Sequence, residues 1–218
     1  MADGKPGYIA ADAYSVARQR GMMQGGYPPL VFKDTEGNVV LTANKGGIGR
    51  HAILIDPQGQ QVGAIQKKGI SLGSKATYLF FDGQNNQIGQ VMLRTGNMGM
   101  SESIQLQDPQ GGLVATATGN FMGFSFEIYD AQGSKTLAKI YRDTQQKQQQ
   151  GSGLKGLLTS VASSAIGMMM GAYKIEILEK TINDMSRLFI LELIVVLDEM
   201  YQPQQGTAFG PGAGGFKI

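Results

Sequence analysis

"RLFILELIVVLDEMY", residues 187–201, admits three readings: a membrane anchor, a core helix, or a site built around Glu192. Between Arg187 and Asp198 the only polar residue is Glu192, so a helix here is apolar on every side, the mark of a helix surrounded by protein or lipid. The apolar part holds ten residues, about 15 Å at about 1.5 Å per residue, against a bilayer core of about 30 Å. It is too short to span, so it needs protein around it.

The upstream chain supplies that protein. Five segments share one design, an alternating strand, a turn that begins with Asp, and a second strand: "PLVFKDTEGNVVLTA", "HAILIDPQGQQVGAI", "TYLFFDGQNNQIGQVML", "ESIQLQDPQGGLVATAT" and "FSFEIYDAQGSKTLAKIY". Their turn residues are Asp34, Asp56, Asp82, Asp108 and Asp130. In four of them glycine follows at the third position after Asp, where a turn needs a positive φ, and the Asp side chain caps its own turn. Asp82 departs from the pattern, with Gly83 and "QNN". Period-two alternation marks the strands: in "FSFEIY" Phe124, Phe126 and Ile128 share one face, and Ser125, Glu127 and Tyr129 the other. With "YKIEIL" (173–178) and a weaker candidate at 13–18, the count reaches about twelve strands. A sheet of that length must curl or close. The expected fold is therefore mainly β: a closed antiparallel β-barrel of about twelve strands around a buried hydrophobic C-terminal helix.

That arrangement resembles the tubby C-terminal-like fold, and within it the LURP-one-related proteins, with phospholipid scramblases as more distant relatives. The matching residues are "YKIEILEKTINDMSRLFILELIVVLDEM", the passage "QKKGISLGSKATYLF", and the opening "RGMMQGGYPPLVFKDTEGNVVLTA", within residues 13–200 apart from an insertion. The resemblance implies association with membrane phospholipid. Scramblases are similar in having an acidic segment before the terminal helix, proposed to bind calcium, and an acylated cysteine cluster. Here that segment is "EKTINDMSR", whose two acids are Glu179 and Asp184, and there is no cysteine. Calcium takes six to eight oxygens, so neither a metal site nor calcium-driven scrambling is expected.

Composition narrows the function classes. The absence of cysteine excludes disulfides, thiolate metal sites and thiol catalysis. A net charge of +2 gives no long-range field for nucleic acid. Charge is nevertheless lopsided, with ten Lys and Arg against six Asp and Glu in residues 1–100, and nine against eleven in 101–218. The opening "MADGKPGYIAADAY" shows no basic stretch followed by an apolar run, so no signal peptide is read, and a cytoplasmic location, peripheral to a membrane, is expected. His51 is the only histidine; without a G-x-S-x-G or H-E-x-x-H pattern no nucleophile and base can be paired, and no catalysis or cofactor is expected.

The candidate binding residues lie between hairpins. "KGGIGRH" (45–51) reads either as an anion-cupping loop armed by Lys45 and Arg50 or as a plain link, since it lacks G-K-[ST] and a following helix. Lys67, Lys68 and Lys75 flank the link "GISLGS", where they either meet lipid headgroups or are simply solvated. Glu192 is expected to be buried in the core helix and paired with an Arg or Lys from a strand.

Two segments suggest subunit or membrane contact. The stretch "GSGLKGLLTSVASSAIGMMMGA" (151–172), uncharged after Lys155 and read as a helical insertion bounded at 144–172, offers Leu157, Leu158, Ile166, Met168, Met169 and Met170. The glycine- and proline-rich tail at 202–218 offers Phe209 and Phe216. The organisation expected is an N-terminal extension at 1–12, a barrel domain at 13–201 and this tail. The function that the resemblance implies is that of a non-enzymatic phospholipid-associated binding protein, with an anionic phospholipid surface as partner; the alternative expectation is a structural protein assembling into homo-oligomers through the insertion and tail.

Overall fold

Alternation of apolar and polar residues produces a barrel closed without an edge. The computed structural model describes residues 6–19, 28–45, 52–68, 75–94, 101–120, 125–142 and 172–201. Among them run α1 (Gly7–Ala10), β1 (Ala13–Arg18), β2 (Leu30–Lys33), β3 (Val39–Lys45), β4 (Ala52–Ile55), β5 (Gln61–Lys68), β6 (Lys75–Asp82), β7 (Gln87–Arg94), β8 (Ser101–Gln107), β9 (Leu113–Asn120), β10 (Ser125–Asp130), β11 (Thr136–Arg142), β12 (Ala172–Ile177) and α2 (Asp184–Tyr201). Each strand pairs antiparallel with its sequence neighbours, and β1 closes on β12 with Tyr14 opposite Ile175.

Four of the five hairpins use one turn, and the fifth a longer variant of it. The Asp56 Oδ1 accepts the amides of Gln58 and Gln60 at 3.0 and 2.8 Å, and Asp34, Asp82 and Asp108 do the same two and four residues on. Asp130 accepts from Ser134 and Lys135, in a turn one residue longer. Each hairpin shifts register just before its turn, the bulge that adds twist where a barrel needs it. Gly37, Gly59, Gly111 and Gly133 hold positive φ. The irregular third turn proves regular: Asn85 stands where the others have glycine and takes φ 69°, one of the few side chains that tolerates it.

The helix is longer than its apolar run. Asn183 accepts the Ser186 amide at 2.8 Å through its side chain and the Arg187 amide through its carbonyl, so the polar residues before Arg187 form the cap and first turn. Residues Leu188 to Leu197 are buried on all sides, with Phe189 meeting Phe80 edge to face at 4.8 Å. At the helix start the buried Arg187 donates to the carbonyls of Ile9 and Ala11 at 3.0 Å and to Asp12 at 3.2 Å. This ties α1 and its buried Ile9 to that end of the barrel.

Glu192 corrects an expectation. It is fully buried on α2, but neither carboxylate oxygen has a hydrogen-bond partner, and among the described residues no Arg or Lys reaches it. Its Oε1 lies against Gly63 of β5, where a Cβ would come within 2.5 Å, so the site is a slot shaped for the carboxyl rather than an ion pair. Burial pushes the group well above the usual carboxylate range; the Ala64 amide pulls the other way, outside hydrogen-bond geometry, and Asp82 adds to the rise. Register explains the miss, because the inward position opposite the helix here is a glycine and the strand lysines come later, at the end of β5.

Two measurements test these points. Asn85→Ala should lower stability by about 1 kcal/mol in urea unfolding, the penalty of a left-handed β-carbon, whereas Asn85→Gly should be neutral or stabilising. For Glu192, whose folded pKa lies above its unfolded value of about 4.3, the stability associated with the neutral form is complete below that value and is lost as pH rises towards the folded one. Glu192→Gln should match the wild type in acid and exceed it by up to about 1.4 kcal/mol for each pH unit climbed through that window. Parallel pH profiles for the two proteins would contradict a neutral buried acid.

Candidate functional site

Hairpin parity separates the barrel into two rims. The five Asp turns, the first residues of β1 and the N-terminus of α2 share one end, the turn rim. The opposite end, the link rim, receives the last residues of β1, β3, β5, β7, β9 and β11, the first residues of the strands that follow them, and the C-terminal end of α2.

The mouth at the link rim is closed by a polar network. Arg18, at the end of β1, donates to the Asp198 carboxylate in the last turn of α2 and to the Pro28 carbonyl at 2.9 Å. The Tyr173 hydroxyl of β12 donates to the other Asp198 oxygen at 2.7 Å. Asp198 is 1% exposed; burial raises its pKa, while Arg18 and then Tyr173 pull it back. The same network drives the Tyr173 hydroxyl far above its usual range, through burial first and Asp198 second. An acid in the last turn of a helix opposes the helix dipole, so Arg18 supplies the charge that the dipole withholds. On the far side of the mouth the Lys67 ammonium lies 5.8 Å from the centre of the Tyr78 ring. Burial, followed by Glu199, pushes the Tyr78 hydroxyl up to about 12.

The lysines singled out in the sequence converge on this rim. Lys67 and Lys68 are exposed at the end of β5, with Lys67 opposite Tyr78 and Lys68 opposite Thr77 of β6. Lys75 opens β6, and Lys45 ends β3 opposite Ala52. Arg50, His51, Leu157, Leu158, Ile166, Met168, Met169, Met170, Phe209 and Phe216 lie outside the described residues. Ala172, placed in the insertion from sequence, begins β12.

Sequence reasoning passed over two rim residues. Arg94 stands directly opposite Lys75, and Met92, 51% exposed, stands opposite Thr77. Hairpin parity alone places Arg94 at the same end as Lys67, since it ends the second strand of its hairpin as Lys67 nearly does. No group of three or more His, Cys, Asp or Glu able to hold a metal occurs among the described residues. Nor is any described helix long and apolar enough to cross a membrane.

The same architecture is found in a protein from Arabidopsis thaliana solved by X-ray, similar at a TM-score of 0.55 with 17% identity, over 91% of this chain and 97% of that one. At that identity the likeness carries the fold alone. No curated protein matches the chain. A sequence model of the LURP-one-related family matches residues 18–198, from the Arg18 that closes the mouth to its partner Asp198. The chain belongs to the LURP-one-related family.

Proposed function

We propose that this protein is a non-enzymatic binding module that associates with anionic phospholipid surfaces through its link rim. The observation that carries this reading is the sorting of charge by end. Asp34, Asp56, Asp82, Asp108 and Asp130 all occupy the turn rim, while Lys45, Lys67, Lys68, Lys75 and Arg94 stand on neighbouring strands at the link rim. Arg50, in the link after β3, adds to the same end in sequence. The result is a barrel with a charge dipole along its axis that would turn the link rim towards a negative surface. Each basic residue near such a surface contributes about 1 kcal/mol, so five or six supply a useful affinity without any deep pocket. Family membership supports a lipid-directed role, and no nucleic-acid contact is proposed.

Flotation with phosphatidylcholine vesicles, with and without phosphatidylserine, tests the proposal. Wild type should float with the anionic vesicles only, and added salt should release it as exposed charges are screened. Lys68→Glu combined with Lys75→Glu should reduce flotation by at least about tenfold with unchanged circular dichroism. A wild-type protein indifferent to phosphatidylserine would refute the reading.

A further inference from the structure

The basic rim is not evenly surrounded. On the outer wall of β5, β6 and β7 the register sets out parallel rows: Lys75 opposite Arg94, then Lys68, Thr77 and Met92, then Gln66, Leu79 and Gln90, then Ala64 opposite Phe81. Lys68, Thr77, Met92, Gln66, Leu79, Gln90 and Phe81 face outwards, because the alternate positions Ala76, Tyr78, Phe80, Val91 and Leu93 are buried against the core. Below the charges Leu79 and Phe81 are half-buried, Leu79 between Gln66 and Gln90, and Met92 stands 51% exposed nearer the rim.

The far wall is built differently. On β10, β11 and β12 the outward side chains satisfy one another: Lys139 pairs with Glu127 at 2.8 Å, Tyr129 donates to Glu127, and Tyr141 donates to Glu176. On this wall Glu127 and Glu176 are thus each matched by a neighbouring side chain. The β5–β7 wall differs: the exposed Lys68 stands in one row with Thr77 and the unbranched, adaptable thioether of Met92.

We infer that Met92 is the apolar anchor of an amphipathic docking patch on β5–β7, inserted between lipid headgroups while Lys68 and the basic strand ends beside it meet the phosphates, so that the barrel meets the bilayer along this flank. The inference rests on the lipid-surface reading above and adds the side of the rim that makes contact. Charge complementarity selects the occupant. A protein partner with an acidic apolar patch shares part of that chemistry, but it would not move a probe at position 92 into hydrocarbon.

The chain contains no tryptophan, so one introduced residue reports alone. Met92→Trp should shift its emission to the blue on phosphatidylcholine vesicles containing phosphatidylserine, stay unshifted on phosphatidylcholine alone, and be quenched by lipid brominated on its acyl chains. Leu113→Trp, 41% exposed at the turn rim, should not respond. Met92→Ser should weaken flotation about tenfold while leaving circular dichroism unchanged. If the protein floats but the emission of the Met92→Trp variant stays as in buffer, the flank assignment is wrong and the lipid reading stands. If the wild type does not float, both are wrong.

Discussion

The packing of one apolar helix inside a ring of strands holds this molecule together. Eight strands enclose a space that their own side chains can fill; twelve enclose more, and without Leu188 to Leu197 the barrel would have a hole for a core. Conversely the helix, apolar all round, has no stable surface outside the barrel. Each half requires the other, and the requirement runs from one end of the chain to the other, since β1 must pair with β12 before the wall is complete. Arg187 and Asp198 fix the helix at its two ends to the N-terminal segment and to β1, through bonds that span more than 170 positions in the chain.

The parts of this design legible in the sequence are the local ones. Alternation gives the strands, a turn Asp with glycine three residues later gives the hairpins, and an apolar run too short for a bilayer gives the central helix. Asn85 shows the limit of a residue pattern: the backbone asks for a left-handed residue, and the sequence can answer with more than one. What pairs across the barrel is not legible. Nothing local to Arg18 announces Asp198, and nothing local to Glu192 announces that the residue facing it is Gly63. Pairing Glu192 with a strand cation is reasonable chemistry applied to an unknown register. The candidate rim is half visible, because lysines between hairpins must gather at one end, whereas Met92 looks like an ordinary strand residue until its neighbours are known.

Glu192 also illustrates how a core can hold a polar group without a partner. The neutral acid avoids the charge penalty, and the missing Cβ at Gly63 leaves room for it, so the slot favours a protonated carboxyl over a carboxylate. A cation placed there would need its own room and its own desolvation, in a core of Leu188, Val62 and Ile65 that supplies neither. The exception in an otherwise apolar helix thus follows from a glycine on the facing strand.

The two rims answer to different constraints, and this bears on where function can reside. At the turn rim each aspartate serves the amides of its own loop, so its charge is fixed there by backbone need and cannot be exchanged without disturbing a hairpin. Five acids of the chain are in this way gathered at one end for reasons of folding. At the link rim no such requirement holds: strands end, and the lysines at the ends of β3, β5 and β6 occupy positions that any soluble side chain could fill. A basic cluster arising where the fold is indifferent calls for an explanation outside the fold. Contact with an anionic surface provides one, and because the turn rim repels that surface, the same charge separation that follows from the hairpins would orient the barrel on it.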